Sequence, residues 1–174
     1  VIVRYVKYMG GMLHGDMGVS YVSKTDVFDT YMEKLPATIK LSFASILVSI
    51  LLSVPLGIYS ATRQGTVQDN ISMIVAMIGL SMPNFWLGLL LIIVFSLNLG
   101  WFPSGGDQTL SSIVLPAITI GTGLMATLTR TPRYSMLDVL KQEYLRTARA
   151  KGIPEKIVIT SHALRNALIP IITI

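Results

Sequence analysis

The chain has 174 residues, of which 52% are hydrophobic and only 13% charged, roughly half the charged share of a soluble domain. Its net charge of +5 does not point to nucleic acid: a nucleic-acid reader spreads Lys and Arg over one solvated face beside groove-reading or aromatic elements, whereas here the cations sit between apolar runs. Cysteine is absent, which excludes a disulfide framework, a thiolate metal site and a cysteine nucleophile.

Residues 1–36 come first. The opening VIVRYVKYMGG is not a signal peptide, because Arg4 and Lys7 interrupt its apolar run. Because the sequence starts at Val1 instead of Met and stops at Ile174 inside the apolar run ALIPIITI, it reads as a segment of a longer protein, with a membrane helix expected upstream.

Three uncharged stretches follow, 41–61, 71–99 and 110–129, each long enough to cross a hydrocarbon core that needs about 20 helical residues. A fourth begins near Ala167 and is cut short. Unpaired backbone groups are not tolerated in lipid, so these spans are expected to be helices. The second is too long for a straight crossing at about 1.5 Å rise per residue, and Pro83 in GLSMPNFW is the expected kink. Pro55 and Pro116 are candidate bends in the other two.

Eight of the fourteen Lys and Arg residues fall in 130–166: Arg130, Arg133, Lys141, Arg146, Arg149, Lys151, Lys156 and Arg165. Short loops rich in Lys and Arg face the cytoplasm, so this basic loop is placed inside. The connection NLGWFPSGGDQT (98–109), with no Lys or Arg and with Trp101 and Phe102 at interface height, is then outside. RQGTVQDN (63–70) is an inner turn, and residues 1–36 form an extracytoplasmic segment. The expected fold is all-α, a polytopic membrane helical bundle, with a transmembrane domain over 37–174 and the basic loop at about 131–166. No repeat and no low-complexity tract divides it.

Within the loop, Leu137, Leu140, Tyr144 and Ala148 recur at helical spacing and predict one buried face. Gly152 suits a helix C-cap, and Pro154 suits the first turn of a following helix with Glu155 beside its positive end. That second helix is expected to align Ile157, Ser161, Leu164 and Leu168. By spacing alone, this helix-break-helix protrusion is equally a partner-docking element or an amphipathic hairpin on anionic lipid.

The phrases EYLRTARAKG (143–152) and HALRNALIP (162–170) carry a resemblance to the cytoplasmic EAA loop of importer permeases in the ATP-binding cassette family, in its dipeptide, oligopeptide and nickel branch. The resemblance extends over HGDMGVSY (14–21), LPATIKL (35–41), SMPNFWLG (81–88) and TRTPRYSMLDVL (129–140). In the wider family the loop begins Glu-Ala-Ala, has a glycine four residues later and closes with Ile-x-Leu-Pro. Aligned on Gly152, this chain has Arg146, Thr147 and Ala148 at the opening, and His162, Leu164 and Arg165 near the close. Only Ala148, Gly152 and Leu164 match the general form.

The resemblance implies a coupling helix that docks in a groove of a cytoplasmic ATPase and passes its closure to the membrane helices. The residues carried over are Arg146, Thr147, Ala148, Arg149 and Ala150, then Lys151, Gly152, Ile153, Pro154, Glu155 and Lys156. Ala148 and Gly152 are expected to permit close approach, while Arg146, Arg149 and Lys151 offer charged contacts. The implied setting is multi-pass in a prokaryotic plasma (inner) membrane, among lipid, with a second homologous permease, two cytoplasmic ATPase subunits and an extracytoplasmic solute-binding protein. The implied cargo is a di- or oligopeptide, or nickel. No phosphate-cradling GxxxxGK[ST] loop is present, so ATP and Mg belong on partner chains and no cofactor is expected here. The competing reading is a membrane-anchored scaffold or enzyme component whose basic loop only sets topology.

Asn84, beside Pro83 and Phe85, is either pathway lining or helix-to-helix hydrogen bonding. Gly121 and Gly123, with Thr119, Thr122 and Thr127, suggest close helix packing in preference to a substrate path. His14 and His162 are the only histidines, and the topology separates them, so no metal site is expected. Ser111 and Ser112 lack a histidine and acid partner, so no catalytic residue is assigned.

Overall fold

The computed structural model describes residues 2–106 and 109–172, with side chains for all of these except Ala126 and 170–172. Asp107 and Gln108 of the expected outer connection lie outside the described residues, as do the last two positions of the truncated fourth span. Residues up to Ser42 form one compact unit and those from Phe43 another.

In the first unit, α1 (Ile2–Leu13) ends in a turn closed by Gly15 at φ 84°. A short loop then folds back on itself through a single β-bridge between Val19 and Asp26. The Asp26 carboxylate accepts the amides of Phe28 at 2.8 Å and Asp29 at 3.3 Å, satisfying two of the free donors that every helix start exposes. Helix α2 (Val27–Thr62) therefore begins well before the expected span at 41, and it runs on through Pro36 and Pro55 without a break.

The second unit shows why composition pointed to lipid. The buried positions of α2 are Ser45, Ser49, Ser53, Gly57, Ser60 and Ala61, a stripe of small residues at mostly four-residue spacing. Its large apolar side chains, Phe43, Ile46, Leu47, Ile50 and Leu51 among them, are exposed. The best window of α2 has a mean hydropathy of 2.2 yet is only 22% buried. That is the reverse of a soluble helix and the pattern expected of a helix that turns its bulk to lipid and its small side to a neighbour.

Helix α3 (Val67–Ser81) starts four residues ahead of the expected second span and takes Thr66 as its N-cap. It ends where Met82 adopts an extended conformation, φ −76° and ψ 128°, as a residue preceding proline is forced to do. Pro83 then opens α4 (Asn84–Leu91), which continues as π-helical turns over Ile92–Asn98. The expected kink is in fact a full break, with the two segments 97° apart. Each is 15 residues, about 22 Å of helix, so neither alone crosses the hydrocarbon core.

Helix α5 (Leu110–Leu140) is the element on which α2, α3 and α4 pack. Its halves, Leu110–Met125 and Thr127–Leu140, are bent by 50°, in the stretch ahead of Pro132 and not at Pro116, where the bend was expected. Pro132 supplies no backbone donor, and the Thr129 hydroxyl donates to the Met125 carbonyl at 2.6 Å; both loosen the helix ladder at this point. The helix also extends well past the expected end at 129, so Arg130 and Arg133 are helical residues and not loop cations.

Small residues set the packing around α5. A β-carbon on Gly57 would come 2.6 Å from the Thr129 carbonyl oxygen, one on Gly79 would come 2.9 Å from that of Thr122, and one on Gly121 would come 2.9 Å from that of Ser45. The close-packing reading of Gly121 holds. Contacts from the broken pair fall on one short stretch of α5, Gly79 at Thr122, Asn84 at Gly123 and Gly88 at Thr119. Among the described residues one helix is long and apolar enough to cross a membrane, and three elements are if each bent pair counts as one span.

Because Gly57 faces a backbone carbonyl, Gly57→Val is expected to separate α2 from α5 and destabilise by about 1–3 kcal/mol. Gly10→Ala, where nothing lies within 4 Å of the new carbon, should be neutral or stabilise by up to about 1 kcal/mol. Thermal unfolding of both variants in the same detergent checks the contrast.

Candidate functional site

The basic loop is a compact hairpin. Helix α6 (Glu143–Ala150) starts after a turn at Lys141 and Gln142, so α5 and α6 are separate helices. This break shifts the predicted face. Leu137 and Ala148 are buried as expected, but Leu145 is fully buried and Tyr144 is 41% exposed.

The end of α6 is held by two backbone bonds, Gly152 N–H to the Arg149 carbonyl at 2.9 Å and Ile153 N–H to the Ala148 carbonyl at 3.3 Å. Gly152 sits at φ +76°. This is a Schellman ending, in which a left-handed residue lets the chain satisfy the last carbonyls and turn away. Ile153 then packs against the cluster containing Ala148.

Pro154 is the N-cap of the next segment, one position ahead of the first-turn place expected for it. Helix α7 (Glu155–Ile157) leads through π-helical turns at Val158–Ala163 into α8 (Leu164–Ile172). The π-helical turns insert a residue into the repeat, and the buried positions are Val158, Ala163 and Ala167. The predicted stripe of Ile157, Ser161, Leu164 and Leu168 is not the buried one; Ile157 is 45% exposed.

An ion pair clamps the break. Arg149 donates Nη2 to Glu155 Oε1 at 2.9 Å and Nε to Oε2 at 3.0 Å, the two-pronged geometry that makes Arg-carboxylate pairs specific. The hydrogen bond from Arg149 holds the Glu155 carboxyl below its ordinary value, and Glu155 in turn raises Arg149. Asn166 donates to the Tyr144 hydroxyl at 2.7 Å, tying α6 to α8.

The hairpin rests on one apolar cluster containing Ala61 of α2, Met136 and Leu137 of α5, and Leu145, Ala148, Val158, Ala163 and Ala167. Ala148, expected to admit a partner, is spent inside this cluster. Gly152 is exposed with open space around it, so its requirement is the left-handed turn. Arg149 is engaged by Glu155, and Arg146 by Glu143 at 2.9 Å. Among the described residues Lys151 and Lys156 form no ion pair, and they stand exposed with Thr147 and Ala150.

Directly beyond the cluster lies a site that spacing did not reveal. Arg133 of α5 donates Nη2 to Asp69 Oδ2 at 2.8 Å and Nε to Asp69 Oδ1 at 3.0 Å. The Arg133 Nε also donates to Ser60 Oγ of α2 at 2.9 Å, and the Ser60 hydroxyl donates to Asp69 Oδ1. Gly65 N–H reaches Oδ2 at 3.1 Å. The side chains are 18% and 5% exposed. The sequence places Asp69 in the inner turn 63–70 and Arg133 among the cations of the basic loop. The only signal available was an acid one turn inside a helix start and a basic residue one turn before a buried apolar pair.

The other expected site residues fall elsewhere. Asn84 lies against Gly123, with its oxygen 3.0 Å from where a β-carbon would stand, and no hydrogen bond of Asn84 is found among the described residues. Pro83 and Phe85, the latter 72% exposed, border an open apolar groove of about 670 Å³ in the elbow between α3 and α4. The His14 ring bonds the Gly10 carbonyl at 2.8 Å, and the His162 carbonyl accepts from Tyr144; neither histidine ring is part of a cluster of possible metal ligands among the described residues.

Residues 53–174, which include the ion pair and the whole hairpin, match the family of binding-protein-dependent transport system inner membrane components. The chain belongs to this family, and it is a helical membrane protein. It is 46% identical over 183 residues to the oligopeptide transport system permease protein AppB of Bacillus subtilis (strain 168), covering 99% of this chain and 58% of that protein. It is 39% identical over 170 residues to the glutathione transport system permease protein GsiC of Escherichia coli (strain K12), covering 98% and 56%. The corresponding GsiC of Pectobacterium atrosepticum is 40% identical at the same coverage. The chain thus spans a little over half the length of these relatives.

The clamp makes the hairpin pH-sensitive. Because the folded Glu155 value is lowered, its contribution is present in full above the ordinary 4.5 and is lost as pH falls through the depressed value. The pair is largely exposed, so the contribution is about 0.2–1 kcal/mol. The protection of the Ile153 amide against hydrogen exchange should exceed that of Glu155→Gln at neutral pH, and the difference should vanish in acid. A separate check is Gly152→Ala, expected to cost about 1 kcal/mol of the same protection through its left-handed backbone, while Gly152→Asn costs less.

Proposed function

We propose that this chain is part of a permease subunit of an ATP-driven importer, in which the 143–157 hairpin receives the motion of a cytoplasmic ATPase and hands it to the membrane helices. The observation that carries the reading is the construction of the hairpin. Its inner face is locked to α2 and α5 by one apolar cluster, its tip is fixed by Gly152 and the Arg149–Glu155 clamp, and its outer face presents the exposed Lys151 and Lys156. A rigid element transmits displacement, whereas a floppy loop would absorb it. The family membership and the printed functions of the relatives support the same reading.

In this reading the subunit is multi-pass in a prokaryotic inner membrane, with the hairpin and the turn at Arg63 to Thr66 on the cytoplasmic side. The two are brought to one end of the bundle by Asp69 and Arg133. A second homologous permease completes the pathway, two ATPase subunits bind ATP and Mg, and an extracytoplasmic solute-binding protein delivers cargo. This chain contributes no catalytic residue and no cofactor site. The cargo class is a di- or oligopeptide, given the named substrates of the relatives; nickel belongs to the related branch.

Charge on the outer face tests the docking. Reversing Lys151 and Lys156 to Glu in the full-length protein is expected to weaken association with the ATPase subunits, more at low salt than at high salt, because exposed charges are screened within about 10 Å at 0.1 M. Both residues lie outside the internal clamp, so the hairpin itself should persist. Unchanged ATPase association and unchanged ATP-driven uptake in this variant would count against the proposal.

A further inference from the structure

Between the hairpin and the membrane helices lies the buried ion pair, and its geometry is more specific than stability alone requires. The Asp69 carboxylate has about four acceptor positions, and all are used: Ser60 and Arg133 Nε on one oxygen, Arg133 Nη2 and the Gly65 amide on the other. The partners come from α2, the following turn and α5, around an acid on α3. Ser60 both donates to Asp69 and accepts from Arg133. Replacing a buried pair by apolar side chains is often neutral or stabilising. What an ion pair adds is direction, since two parallel bonds hold only in one alignment.

That alignment matters because close contacts of α2 and α3 with α5 are made through glycine. Gly57 meets the Thr129 backbone and Gly79 the Thr122 backbone, so at these two positions α2 and α3 offer no side chain of their own to oppose sliding along α5. Arg133 stands one helical turn before Met136 and Leu137, which are buried against the hairpin, and Ser60 precedes Ala61 of the same cluster. We propose that Asp69, Arg133 and Ser60 are positioning residues that lock α2, α3 and the end of α5 in one axial register, so that displacement of the hairpin moves all three helices together. This rests on the coupling function proposed above.

The test uses the full-length protein assembled with its partner subunits in lipid vesicles. Environment-sensitive fluorophores are placed in separate samples at Gln142→Cys, exposed at the start of the hairpin and outside the face proposed for docking, and at Ile74→Cys on α3, and the probe is Mg-ATP with vanadate. In the unsubstituted background both labels are expected to respond. In Asp69→Asn/Arg133→Gln, a neutral pair that keeps hydrogen-bonding groups, the Gln142 label should still respond while the Ile74 response falls about fivefold or more. Arg133→Lys, which keeps the charge but not the two-pronged bond, should be intermediate. Melting temperatures measured in parallel report any purely structural loss, which would lower both responses together. An Ile74 response that survives in the neutral pair, is absent in the unsubstituted protein while Gln142 responds, or falls only in step with Gln142, overturns the inference alone. No response at Gln142 in the unsubstituted complex overturns the proposed function itself.

Discussion

Asp69 and Arg133 meet across three helices, and most of what is particular about this bundle depends on that meeting. Removing water from a carboxylate and a guanidinium costs several kcal/mol per ion unless each is fully bonded. Here the carboxylate is surrounded by four donors and lies almost wholly inside the protein. The pair fixes the end of α3 against α5, turns the 63–66 connection back over the carboxylate through Gly65, and sets α2 beside both.

The same end of the molecule carries the apolar cluster and the hairpin. Elsewhere the packing relies on the absence of side chains. Gly57, Gly79 and Gly121 bring backbones together, and large apolar side chains are turned outward. In lipid such a surface has no hydrophobic drive to associate, so contact depends on close approach and on polar bonds. Close approach through glycine is strong in dispersion but weak in register. The ion pair adds a directional contact at the end that carries the hairpin, which is the basis of the register proposed for it.

The hairpin solves a related problem with local means. A short helix that must present an outer face and hold still needs its last carbonyls satisfied and its exit direction set. Gly152 does this through its left-handed backbone, and Arg149 spends its charge on Glu155 across the turn. The consequence is a division of labour among residues that resemblance alone treats as one docking set. Ala148 and Ile153 face inward, Gly152 and Arg149 shape the turn, and Thr147, Ala150, Lys151 and Lys156 stand exposed on the face proposed for a partner.

Composition and uncharged length, by themselves, determined that this is a helical membrane protein. Glycine and proline punctuation placed the hairpin break between 150 and 155, and the wording of 143–170 pointed to the family. These features are legible because they depend on backbone chemistry within a few residues. The tertiary structure alone decided the 97° break at Pro83, the buried face of the hairpin and the ion pair. A proline marks a place but not an angle. A helix end at Lys141 and π-helical turns at 158–163 each slip the repeat, so Leu145 and Val158 replace the residues that uniform spacing selects. Asp69 and Arg133 are 64 positions apart, and nothing local distinguishes a charge that will be buried with a partner from one that will face water.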